Sequence, residues 1–88
     1  MNTEEQIRRI GNEVIDLLIS KNAAYGDSAL SPISIFGSSD ALVSLGARID
    51  DKLSRIRNRG VNDKTEDTVS DLIGYLILYK AALERQKS

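Results

Sequence analysis

The stretch Thr65-Glu66-Asp67-Thr68-Val69-Ser70-Asp71-Leu72-Ile73-Gly74-Tyr75-Leu76-Ile77-Leu78-Tyr79-Lys80-Ala81-Ala82-Leu83-Glu84-Arg85 decides the fold. Its opening, a threonine followed by two acids, is a capped and acid-rich helix start. Beyond it Val69, Leu72, Ile73, Leu76, Ile77, Leu78 and Leu83, with Tyr75 and Tyr79, are spread most of the way round a helical cylinder. A helix that is apolar on most sides must be central in its domain or covered by another subunit. In a chain with only two other helices, a homo-oligomer is the simpler expectation.

Working outward, Asn62 to Thr65 read as a turn, and upstream of it Leu42, Leu45, Ile49, Leu53 and Ile56 form a helical stripe. Ser39 or Asp40 is placed to cap that second helix. Gly60 is placed to end it, and Arg55, Arg57 and Arg59 lie where the helix dipole is negative. The first helix is expected to start at Thr3-Glu4-Glu5-Gln6, a capping-box pattern. Its apolar face is Ile7, Ile10, Val14, Leu17 and Leu18. Between Asn22 and Ser39 the periodicity disappears, and Gly26, Ser28, Ser31-Pro32, Gly37 and Ser38 mark a long loop. Ile33, Ile35 and Phe36 are apolar enough to anchor it, so it is expected to be ordered. The prediction is one all-α domain spanning residues 1–88, with three main helices and a long ordered loop between the first and second.

The chain has 88 residues, and a domain of that size buries only about 60–65% of the surface its unfolded form exposes. Oligomerisation would add the missing burial. Without cysteine or histidine there are no disulfides, thiolate sites or imidazole ligands, so any metal must be a hard cation held by oxygen. Twelve basic and thirteen acidic residues give a net charge of −1, which argues against a coat for duplex nucleic acid. The longest apolar run, Leu72 to Tyr79, is too short for a membrane span. These features read as a soluble intracellular protein.

Candidate chemistry gathers in three places. Lys21-Asn22-Ala23-Ala24-Tyr25-Gly26-Asp27-Ser28 puts a cation, an aromatic face, a flexible glycine and a hydroxyl within one helix end. Tyr25 can stack on a base, Lys21 can neutralise a phosphate and Ser28 can donate to its oxygen. The bland alternative is an ordinary helix terminus closed by Gly26. On the second helix Arg48, Asp51, Lys52, Arg55 and Arg59 rise from one side. They make either a phosphate-binding face or a solvated surface with intrahelical pairs such as Asp51 with Arg55. On the third helix Asp67 and Asp71 are four apart, and Tyr75 continues their line. Two such carboxylates can hold a divalent cation or can accept hydrogen bonds from Arg48 or Arg55. Glu13 and Asp16 form a further acidic pair, expected to be solvent-exposed.

The three strings Lys21 to Ser28, Arg48 to Arg55 and Glu66 to Tyr75 resemble the small helical phage and prophage proteins of the nucleotide-modification-associated domain group. That group is in turn distantly similar to the all-α nucleoside triphosphate pyrophosphatases of the MazG and dimeric dUTPase type. The resemblance implies an oligomeric helical fold, a nucleotide ligand and, for the MazG type, magnesium held by two acidic pairs. The later pair maps onto Asp67 and Asp71 at a spacing of four rather than three, and the earlier pair has no clear counterpart. The leading expectation is therefore a nucleotide-binding protein of a phage, acting in the bacterial cytoplasm without a cofactor. It would sequester a cyclic or signalling nucleotide in pockets at oligomer interfaces and so counter host antiviral signalling. In this reading Lys21, Tyr25, Gly26, Ser28, Arg48, Lys52, Arg55, Asp67, Asp71 and Tyr75 contact the nucleotide. Two rivals stand beside it. One is a magnesium-dependent nucleoside triphosphate pyrophosphohydrolase with the ion on Asp67 and Asp71. The other is a non-catalytic module that docks on a host protein.

Overall fold

The computed structural model describes residues 1–32, 37 and 39–87. They form three helices, α1 (Thr3–Ala24), α2 (Ala41–Arg59) and α3 (Thr68–Lys87), with no strand among the described residues. The expected all-α architecture of three helices is what the chain adopts. The expected anchors Ile33, Ile35 and Phe36, and with them the ordered middle of the long loop, lie outside the described residues.

Each helix end is set by local chemistry, and two of the starts differ from expectation. The cap of α1 is Asn2, whose side-chain oxygen accepts the Glu5 N–H at 2.8 Å, so Thr3 is already inside the helix. Asn2 competes well because its short amide reaches back to the first free donors of the helix. α2 is capped by Asp40, which accepts the Leu42 N–H at 2.9 Å, and it ends at Gly60 with φ +80°. α3 is capped by Asp67 rather than Thr65: one carboxylate oxygen accepts the Ser70 N–H at 3.0 Å and the other the Ser70 hydroxyl at 2.8 Å. Thr65 instead belongs to the preceding turn, where its N–H donates to Asp63 at 2.9 Å.

The end of α1 lies three residues inside the segment expected as loop, since Asn22, Ala23 and Ala24 are helical. The Asp27 N–H returns to the Asn22 carbonyl at 3.1 Å and the Gly26 N–H to the Ala23 carbonyl at 3.4 Å. This pair of bonds is the Schellman closure, which needs a left-handed residue just past the helix. Gly26 supplies it at φ +61°, and Asp27 follows at φ +63°. Turns through Ser31 then fold the chain back, with Leu30 and Ser31 N–H groups both donating to the Asp27 carbonyl.

α3 packs extensively on α2 and more sparsely on α1. The fully enclosed side chains are few: Leu45 of α2 and Thr68 of α3 are each 1% exposed, joined by Val14 and Ala82. Gly74 is buried where α1 meets α3; a Cβ there would sit 3.5 Å from the end of Leu18. The sequence stripe on α2 is corrected by one position. Leu53 is 50% exposed, whereas the Lys52 side chain is only 18% exposed, so the seam runs through Leu45, Ile49, Lys52 and Ile56. A lysine is tolerated there because carboxylates meet it from α3 and the residues before it.

Candidate functional site

The charges expected to grip phosphate divide into two groups with different surroundings. Lys52 and Arg55 are half-buried and engaged by the protein's own carboxylates. Lys52 Nζ lies 2.9 Å from Glu66 and 3.3 Å from Asp71, and Arg55 Nε lies 2.8 Å from Asp63 and 2.6 Å from Glu66. The other end of the Arg55 guanidinium donates to the Thr65 hydroxyl, which itself donates to Asp63. The expected intrahelical partner of Arg55, Asp51, is replaced by this pair of acids from the α2–α3 turn. Glu66, which the sequence places in the acid-rich start of the third helix and not among the site residues, is the acid shared by both cations. The signal for it was present: on a short connection between two packed helices, an acid next to a cap is brought against the cations of the preceding helix.

The electrostatics follow from these contacts. The Thr65 hydroxyl and N–H, with Arg55 behind them, hold the Asp63 carboxyl down to about 2. Lys52 lowers Glu66 below the usual carboxylate range, and Glu66 in return, helped by Asp71, raises Lys52. The Ser70 N–H and hydroxyl lower Asp67. Asp67 and Asp71 therefore do not act as a pair, since the first is occupied with its cap and the second with Lys52 and, at 3.8 Å, Lys21. Among the described residues no group of three or more acids is arranged to hold a metal ion.

The second group lines a cleft of about 80 Å³ between the end of α1, the middle of α2 and the middle of α3. Lys21, Tyr25, Ser28, Arg48 and Tyr75, half of the residues assigned to a nucleotide from sequence, border this one space. Leu18, Asn22, Ala29 and Leu78 complete it. The Schellman closure is what turns Ser28 and Ala29 back toward the helices. Gly26 has that conformational task and is not part of the lining. Arg48 sits with its guanidinium carbon 5.9 Å from the centroid of the Tyr75 ring and has no carboxylate partner among the described residues. Lys21 stands at the border between the two groups, half-exposed and reaching Asp71. Next to the cleft, on the other side of Leu18, Lys21 and Tyr75, a smaller groove of about 60 Å³ continues between α1 and α3 over Val14, Leu17, Ser70, Asp71 and Gly74.

Asn22 and Leu78 were legible only in part from sequence. Asn22 lies within the Lys21–Ser28 run, where nothing in the sequence singles it out, and Leu78 reads from sequence as a core position although it is three residues from Tyr75 on α3. Ala29 carried no signal. The arrangement offers aromatic faces, one unneutralised guanidinium, one ammonium, a hydroxyl and an amide around a small opening. That set suits a planar ring carrying negative charge.

The fold and site define an all-α protein of three helices with a cationic and aromatic cleft. No family model matches the chain, and neither a curated protein nor a solved structure is detectably similar to it. No helix among the described residues is long and apolar enough to cross a membrane.

Proposed function

We propose that the protein binds a nucleotide in the cleft of Lys21, Tyr25, Ser28, Arg48 and Tyr75, and that it works as a homo-oligomer holding this ligand rather than transforming it. The observation that carries the reading is Arg48 on the Tyr75 ring: a cation without a carboxylate partner among the described residues, already held on an aromatic face, at the edge of an opening that a second tyrosine borders. A guanidinium pairs with phosphate oxygens in a fork, and tyrosine rings stack on bases. Asn22 adds an amide able to pair with a base edge. Holding is favoured over hydrolysis by the state of the acids, because Asp67 is engaged with Ser70 and Asp71 with two lysines. Sequestration of a signalling nucleotide by a phage protein is the biological form of this reading, and it stands on the resemblance of the three sequence strings.

Calorimetry against mono-, tri- and cyclic nucleotides tests it. Binding at micromolar concentration is expected, with Arg48→Ala and Tyr75→Leu weakening it at least tenfold. No heat from any of the panel at that concentration would overturn the proposal. Release of monophosphate and pyrophosphate from a triphosphate with magnesium would replace holding by hydrolysis.

A further inference from the structure

Gly74 is buried in the interior of α3 where α1 crosses it, at a position where the fold would accept a larger residue. Its φ is not positive, and an added Cβ would meet the end of Leu18 at 3.5 Å, an ordinary contact. Relative to alanine, a glycine inside a helix shifts the folding equilibrium toward the unfolded chain by about fivefold. What the missing side chain provides is space. Gly74 lines the groove between α1 and α3, and a methyl group there would stand in an opening of only about 60 Å³. That groove differs in charge from the cleft beside it, although the two share Leu18, Lys21 and Tyr75. On the cleft side Arg48 has no carboxylate partner among the described residues. On the groove side Asp71 pairs with Lys21 at 3.8 Å and with Lys52 at 3.3 Å, beside apolar walls from Val14 and Leu17. An anion therefore belongs in the cleft, and a neutral group with carbon faces and a hydrogen-bond donor belongs in the groove.

We propose that the groove receives the sugar of the nucleotide held in the cleft, with Asp71 accepting a hydrogen bond from a sugar hydroxyl, so that the site selects ribose over deoxyribose. The sugar joins base to phosphate, and its hydroxyl edge points away from both. With phosphate on Arg48 and base on Tyr25, that edge reaches the adjoining space past Lys21 and Tyr75. Asp71 is equipped to accept there, because Lys21 approaches its Oδ1 only to 3.8 Å, beyond hydrogen-bond reach. A carboxylate held in place to receive a hydroxyl discriminates against the analogue that lacks it, since its acceptor is then left unpaired. Gly74 keeps the floor of the groove low enough for the ring. The inference deepens the proposed function and rests on it.

Calorimetry with AMP, ATP, cyclic AMP and their guanine counterparts, each beside its deoxyribose form, tests the inference. Among the compounds that bind, the ribose form is expected to bind at least tenfold more tightly. Asp71→Ala should bring that preference below about threefold, whereas Arg48→Ala should weaken both forms alike and preserve it. Gly74→Ala should weaken the ribose form at least tenfold and yet raise the urea midpoint, the folding equilibrium moving about fivefold toward the native state. Equal binding of the two sugars by the wild type overturns the inference and leaves the nucleotide reading standing. The same holds for a preference that survives Asp71→Ala, or for an unchanged affinity of Gly74→Ala. A lower urea midpoint for Gly74→Ala also overturns it, because the glycine would then serve the packing of α1 on α3. Absence of heat from every compound at micromolar concentration overturns both this inference and the nucleotide reading.

Discussion

The Arg48 guanidinium carbon lies 5.9 Å from the centre of the Tyr75 ring, and this pairing joins α2 to α3 at the border of the cleft. Cation–π contacts at exposed sites are worth about 0.5–1 kcal/mol, too little to fix the fold but enough to orient a guanidinium. Tyr75→Phe keeps the ring face and is expected to change nucleotide affinity less than threefold. Tyr75→Leu removes the face and is expected to cost tenfold or more, on the order of 1–3 kcal/mol for a lost stacking platform. Titration calorimetry on the two variants separates them, and equal losses would show that the hydroxyl, not the ring, matters.

Lys52 is expected to behave in the opposite way. Its ammonium bridges Glu66 and Asp71 at 2.9 and 3.3 Å, inside the seam rather than in the cleft. Lys52→Ala leaves the two acids facing each other without their cation. Stability should fall by on the order of 2 kcal/mol, the scale of losing hydrogen bonds to charged groups. Affinity for nucleotide should be nearly unchanged. Urea midpoints and calorimetry on the same preparation measure both.

The acids of the α2–α3 turn predict how stability follows pH. Asp63 is held at about 2, below its ordinary value near 3.9, and Glu66 and Asp67 are lowered as well. Groups with depressed values contribute stability that is complete above the unfolded value and lost as pH falls toward the folded one. The melting temperature should therefore be level near neutrality and drop between about pH 4 and pH 2. Lys52 is raised, so its contribution is complete below the unfolded value near 10.5 and fades only at more alkaline pH. Thermal melts of wild type and Asp63→Asn over pH 2–7 provide the check, the variant showing the shallower acid slope.

Thr68 is 1% exposed and its hydroxyl has no hydrogen-bond partner among the described residues. An unsatisfied buried hydroxyl costs about 1–3 kcal/mol, and valine has nearly the same shape. Thr68→Val should raise stability by about 1 kcal/mol, read as a higher urea midpoint at unchanged slope. A loss of stability would mean that the hydroxyl is satisfied in solution.

The closure of α1 gives a contrasting pair. Gly26 and Asp27 are both left-handed, at φ +61° and +63°, and only glycine enters that region without cost. Gly26→Ala should lose about 1 kcal/mol. Asp27→Gly should gain about as much, since the ion pair it gives up with Arg85 is long, at 3.9 Å, and exposed. Denaturant melts of the two variants should shift in opposite directions.

Sequence by itself determined the three helices, because each carries an apolar period and end signals written in neighbouring residues. Gly60 closing α2, Asp40 opening it and Gly26 closing α1 are all local chemistry, legible without any knowledge of packing. Where local signals compete they were less decisive: Asn2 capped α1 in place of Thr3, and Asp67 capped α3 in place of Thr65, since each of these sets lies within one turn. The helical phase of α2 was harder still, as one residue of rotation exchanges Leu53 for Lys52 at the seam.

What only the tertiary structure decided is which charges remain available. Lys21, Arg48, Lys52 and Arg55 look alike in sequence, yet Glu66 and Asp63, brought up by the α2–α3 turn, neutralise Lys52 and Arg55 and leave Arg48 to the Tyr75 ring. A residue's type and helical face are fixed by its neighbours in the chain. Its electrostatic partner comes from another element, and that depends on how the helices pack.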